Sequence, residues 1–108
     1  MQNDDDLLQL KLLYKNKIPE KIKSLEDQWK LICAACSNEK IIEFFQLVHK
    51  FHGSAGSYGY HKLAKNLDVL ETQLRELKTV EELSEEQKNN IGEMLKKIKD
   101  ELWSDENE

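Results

Sequence analysis

Residues 37–59 read SNEKIIEFFQLVHKFHGSAGSYG, and their apolar positions settle which kind of secondary structure the chain builds. Ile41, Phe44, Val48, Phe51, Ala55 and Tyr58 follow one another at alternating steps of three and four. A half-buried strand would alternate at every second residue, so this spacing belongs to one face of a helix. Ser37 offers a side-chain oxygen to cap the first turn, and Gly59 can enter the left-handed region where the helix stops.

Working outward, the same spacing fills the rest of the chain. Leu63, Leu67, Leu70, Leu74 and Leu77 form a second stripe directly after Gly59, with Lys78 where it favours the helix dipole. So short a connection forces an antiparallel hairpin. Ser84 and Gln87 have capping-box spacing ahead of Ile91, Met94, Leu95, Ile98 and Leu102. On the N-terminal side Leu7, Leu10, Tyr14, Ile18, Ile22, Leu25, Trp29, Ile32 and Cys36 keep the period. Pro19 lacks a backbone N–H and pushes Ile18 away from helical geometry, which predicts a short helix over about 4–16 and a longer one from Pro19. One kinked helix is the alternative, because the apolar register is not lost across the proline. The expected fold is all-α, an antiparallel up-down-up-down four-helix bundle with a short additional N-terminal helix. The bundle is expected to span 1–103, and the acidic residues 104–108 to form a disordered tail.

Composition narrows the function classes. The chain has 108 residues, room for one core and not for two lobes around a cleft. Four Gly and one Pro are too few turns for an all-β sandwich. Sixteen Lys and Arg against 21 Asp and Glu leave a net charge of −5, opposite to the footprint that nucleic acid or an acidic lipid surface requires. The start MQNDDD is acidic where a signal peptide is basic, and no apolar run has the length of a membrane span. A cytoplasmic, monomeric protein is expected, and Cys33 and Cys36 fit a reducing compartment. Trp29 and Trp103 read as core aromatics, and Lys11, Lys15, Lys17, Lys21 and Lys23 as a solvated face.

One segment breaks the local rules. Three of the four glycines fall within 53–59, and Gly53 and Gly56 stand inside a helical pattern where each costs about 1 kcal/mol relative to Ala. At 100° per residue His49 points roughly 130° from the mean apolar direction, toward solvent. Phe45 lies one turn before it, and Gly53 and Gly56 lie one and two turns after. The outcome is a protruding imidazole between an aromatic and bare backbone, a shape suited to docking by another protein. Close helix packing is the structural alternative for the two glycines.

Cys33, Cys36, His49 and His52 spell C-x₂-C-x₁₂-H-x₂-H, near a zinc-finger spacing. The last gap is one residue short, and Lys40 and Gln46 stand where the finger's core Phe and Leu belong. The cysteines also continue a helical stripe, so no metal site is expected. The same context argues against a thioredoxin-like C-x-x-C, which belongs beside a βαβ unit.

The segment resembles the histidine-containing phosphotransfer (HPt) domain of two-component phosphorelays. His49, Gly53, Ser54, Ala55 and Gly59 fit that family's motif, and Leu70-Glu71 fits its next helix. His52 departs from it, standing where the family commonly has Lys. The resemblance implies that His49 accepts a phosphoryl group from a receiver-domain phospho-aspartate and passes it to another receiver. It implies receiver domains and a hybrid sensor histidine kinase as partners, with Mg²⁺ belonging to the receiver and no cofactor in this chain. Phe45, Gln46, Lys50, His52, Gly53 and Gly56 are the expected docking or phosphate-proximal residues, with Lys50 or His52 replacing the usual Lys. No orienting group, oxyanion donor or pocket accompanies His49 in the sequence, so no autonomous kinase or other enzyme is expected. The alternative function is an adaptor bundle that binds a partner through the Phe45–Gly53 face without chemistry.

Overall fold

The computed structural model describes residues 4–80 and 82–101. They form four helices, α1 (Asp4–Ala34), α2 (Asn38–Ser57), α3 (His61–Leu77) and α4 (Glu85–Asp100), with no strand among the described residues. α2 packs on α1 and α3, and α4 packs on α3 and α1, closing a ring of four around one core. With short connections between successive helices, this is the up-down-up-down bundle expected. None of the helices among the described residues is long and apolar enough to cross a membrane. Leu102, Trp103 and the acidic tail expected at 104–108 lie outside the described residues.

The additional N-terminal helical turns are present, but the break expected at Pro19 is not. α1 runs through the proline as a single helix of 31 residues. Packing decides this: Tyr14, Ile18, Ile22, Leu25, Trp29 and Ile32 are all buried in one register on both sides of the proline. The Pro19 ring lies on the exposed face, where water can take the carbonyl that the missing N–H leaves unbonded. The stripe also ends sooner than its spacing predicts. Leu7 and Leu10, in register with the core, are 56% and 49% exposed, because α1 outruns the bundle and its last buried side chain on that side is Tyr14.

The helix ends follow their chemistry. The Ser37 side chain accepts from the Lys40 N–H at 3.2 Å, and Ser84 and Gln87 form a reciprocal capping box. α2 closes with Gly59 at φ +87°, the Gly59 N–H on the Gly56 carbonyl and the Tyr60 N–H on the Ala55 carbonyl. These two bonds are the Schellman pattern, and the Tyr60 that follows is buried against Tyr14 and Lys11 of α1. Tyr14 then stacks on Tyr58 with ring centroids 4.5 Å apart and hydrogen-bonds Ser54 at 2.6 Å, tying α1 to the end of α2. Two lysines assigned to a solvated face take part here: Lys11 stands over the Tyr60 ring, and Lys21 over Tyr14 and Phe51.

Candidate functional site

The Ile41-to-Ala55 stripe of α2 is fully buried, which fixes the rotation of the helix and turns His49 and His52 toward its α3 edge. Facing them on α3 is Glu71. That residue lies four positions after Leu67 and three before Leu74, so the stripe that buries those leucines buries the carboxylate as well. Its side chain is 5% exposed, whereas that of His49 is 66% exposed.

Three donors converge on this one carboxylate. His49 Nδ1 lies 3.1 Å from Glu71 Oε2, His52 Nδ1 2.9 Å from Oε1, and Arg75 Nη2 donates to Oε2 at 3.1 Å. An ionised carboxylate only accepts, so both imidazoles carry their proton on Nδ1. Burial alone would raise the Glu71 pKa, but the hydrogen bonds from His52 and His49, with the attraction of those rings, outweigh it and hold the carboxyl below its ordinary value. His49 is therefore clamped at Nδ1, and Nε2 is the other nitrogen of an exposed ring.

The surroundings are aromatic and cationic. The Phe45 ring lies nearly parallel to the imidazole, 11° between planes with centroids 6.3 Å apart. Lys78 Nζ stands 4.4 Å from the Phe45 centroid and the Arg75 guanidinium 5.7 Å, so two positive charges from α3 and its C-terminal cap flank the aromatic beside His49. Along α2 a Cβ added at Gly53 would meet nothing within 4 Å, and one at Gly56 would make an ordinary contact with Ala64 at 3.8 Å. Neither glycine is required by close packing.

Of the residues singled out in the sequence, the fold gathers Phe45, His49 and His52, with Gly53 open one turn further on. Gln46 is exposed on the same helix. Lys50 is not at this cluster: it lines a groove between α1 and α2 with Lys21, Ser24 and Phe51. His52 is occupied by Glu71 and is 32% exposed. The imidazole described from the sequence as lacking an orienting group has one in Glu71. Glu71, Arg75 and Lys78 were absent from the expected site, although the signal was visible: an acid at a core position between Leu67 and Leu74, with bases four and seven residues on. Cys33 and Cys36 are free and half-buried at the other end of α2, and burial raises the Cys33 thiol pKa.

A family model described as Hpt domain matches residues 9–102, nearly the whole chain, including every residue of this cluster. Neither the curated proteins nor the solved structures contain a match.

Proposed function

Because the chain belongs to the Hpt domain family, whose members carry phosphoryl groups as intermediates and have no kinase activity of their own, we propose that His49 is its phosphoacceptor. The observation that supports this best is the exposed imidazole held at Nδ1 by a buried carboxylate, which leaves Nε2 as the free nucleophile.

The donor is a phospho-aspartate on a receiver domain. The Nε2 lone pair attacks phosphorus, the N–P bond forms, and the acyl-phosphate P–O bond breaks, returning its electron pair to the aspartate carboxylate. The imidazole becomes cationic while its proton stays on Nδ1, facing Glu71, so no general base has to remove a proton. A receiver aspartate in a second protein reverses the step. Mg²⁺ sits in the receiver's acidic pocket, and this chain supplies the nucleophile and the docking surface. The receivers are those of a hybrid sensor histidine kinase and of a response regulator.

His52 reads as the second donor that holds Glu71 in place, and Arg75 and Lys78 as the cations that offset the arriving phosphoryl charge. Phe45, Gln46, Gly53 and Gly56 form the surface that a receiver covers.

The test is transfer from a phosphorylated receiver domain, followed by intact mass and stability of the label. Label on the wild type that is acid-labile and base-stable, and absent from His49→Ala, is the expected result. Acid-stable label, or label retained by His49→Ala, contradicts it. A His49→Gln protein that keeps all biological activity while binding its partner identifies an adaptor instead.

A further inference from the structure

Between α1 and α2, on the side of α2 away from Glu71, lies a groove of about 300 Å³, the lower end of small-molecule site volumes. Leu25 from α1 and Leu47 and Phe51 from α2 give it an apolar floor. Lys21 lines it from α1 and Lys50 from α2, and Ser24 and Ser54 add a hydroxyl from each helix. It shares no residue with the His49–Glu71 cluster.

Its positive charge is left unanswered. Among the described residues no carboxylate lines the groove, and neither Lys21 nor Lys50 has an ion-pair partner. The groove between α1 and α4 is the contrast: there Lys23 pairs with Asp27 at 3.5 Å and Lys99 with Glu26 at 3.9 Å, so acids of the same lining neutralise its bases. In a chain of net charge −5, two ammoniums beside an apolar floor reverse the local sign and favour an anion. Lys21 Nζ stands 5.6 Å from the Phe51 centroid and 5.7 Å from that of Tyr14, which holds its charge at the groove. Ser54 donates to the Phe51 carbonyl at 3.1 Å. The Ser24 hydroxyl has no partner among the described residues and is the donor left for a ligand.

We propose that this groove binds a small phosphomonoester with an apolar body. At pH 7 such a head carries about two negative charges, matching the two ammoniums. Lysine binds phosphate as a point charge and lacks the planar fork that suits a carboxylate, so the pair favours the phosphate head. The Ser24 hydroxyl donates to a further phosphate oxygen. The body lies over Leu47 and the hydrocarbon stems of the two lysines, and the volume of the groove limits it to about one ring or a chain of similar size. So few contacts make a weak site, with a Kd of about 1 mM. Binding here is independent of any phosphoryl transfer to His49.

Titration of the full chain with phenyl phosphate, followed by backbone amide chemical shifts, tests the proposal. Saturable shifts over residues 20–25 and 47–54 are expected, half-complete near about 1 mM and unchanged in affinity in His49→Ala. Lys21→Met and Lys50→Met keep the hydrocarbon stem and remove the charge. Each should weaken binding about threefold, and the two together about tenfold. Inorganic phosphate, which lacks the body, should bind at least about threefold more weakly than phenyl phosphate, and benzyl alcohol, which lacks the charge, should give no saturable shift. The amide spectrum itself shows that each variant is folded. Absence of saturation up to about 20 mM, shifts centred instead on Phe45, Arg75 and Lys78, undiminished binding in Lys21→Met/Lys50→Met, or inorganic phosphate binding as tightly as phenyl phosphate overturns it.

Discussion

Glu71 occupies a position that an apolar residue would normally fill, and its three donors explain why a charge is tolerated there. Replacing it by Gln keeps the shape but turns an amide NH₂ toward at least one donor. The expected result of Glu71→Gln is a loss of about 1–3 kcal/mol in unfolding free energy, the cost of leaving a buried polar partner unmade. Receiver-to-domain transfer should slow by about tenfold to a hundredfold, as when the partner that orients a reactive imidazole is removed. Urea melts and single-turnover labelling measure the two effects. The Glu71 carboxyl is held below its ordinary value in the folded chain, so its ionised form contributes stability above the unfolded carboxylate range, and that contribution is lost as pH falls through the lowered value. The stability gap between wild type and Glu71→Gln should be full at pH 7 and fade below about pH 4. A gap of the same size at pH 3 would show that the carboxylate charge is not what stabilises the contact. In the sequence His49 was legible by its exposure and by the glycines that follow it. Glu71 stood in view as an acid inside a leucine stripe, but that it meets His49 depends on the rotation of α3 against α2, which no local pattern encodes.

The helices show where periodicity can be trusted and where it stops. The stripes of α2 and α3, that of α4 as far as Ile98, and the caps at Ser37, Gly59 and Ser84 stand where spacing and cap chemistry place them, because both are local. Pro19 does not break the helix because its local penalty competes with six buried side chains whose register only the assembled bundle reveals. That penalty remains in the folded chain, so Pro19→Ala should raise stability by about 1–3 kcal/mol, read as a higher melting temperature; an unchanged or lower one would mean that the proline ring itself contributes to packing. Gly53 makes the complementary case, since nothing lies within 4 Å of an added Cβ. Gly53→Ala should leave stability unchanged or raise it by up to about 1 kcal/mol, through helix propensity and a less disordered unfolded chain. Gly53→Leu should stay folded and slow phosphotransfer by obstructing the receiver, and transfer at the wild-type rate would show that the open backbone is not part of the docking surface.

At the scale of the whole molecule, the length of α1 relative to its neighbours was the feature least accessible to sequence reading. Leu7 and Leu10 keep the core period, and only the ends of α2, α3 and α4 reveal that none of these helices covers them. The core itself is built from four apolar stripes, so thermal melts with and without EDTA should superimpose; a melting temperature that drops on chelation would revive a metal site at Cys33, Cys36, His49 and His52. The pairing of His49 on α2 with Glu71 on α3 has one more consequence, for the chain's life before it is folded. The nucleophile and the group that holds its tautomer are 22 positions apart and meet only when the second hairpin has closed. A nascent chain that has exposed His49 but not yet residues 71–75 carries the same imidazole without the carboxylate, and on the proposed mechanism it is a poor acceptor. Phosphoryl uptake then begins with the docking of α3, and a thermally frayed or proteolytically shortened chain drops out of the relay instead of draining it.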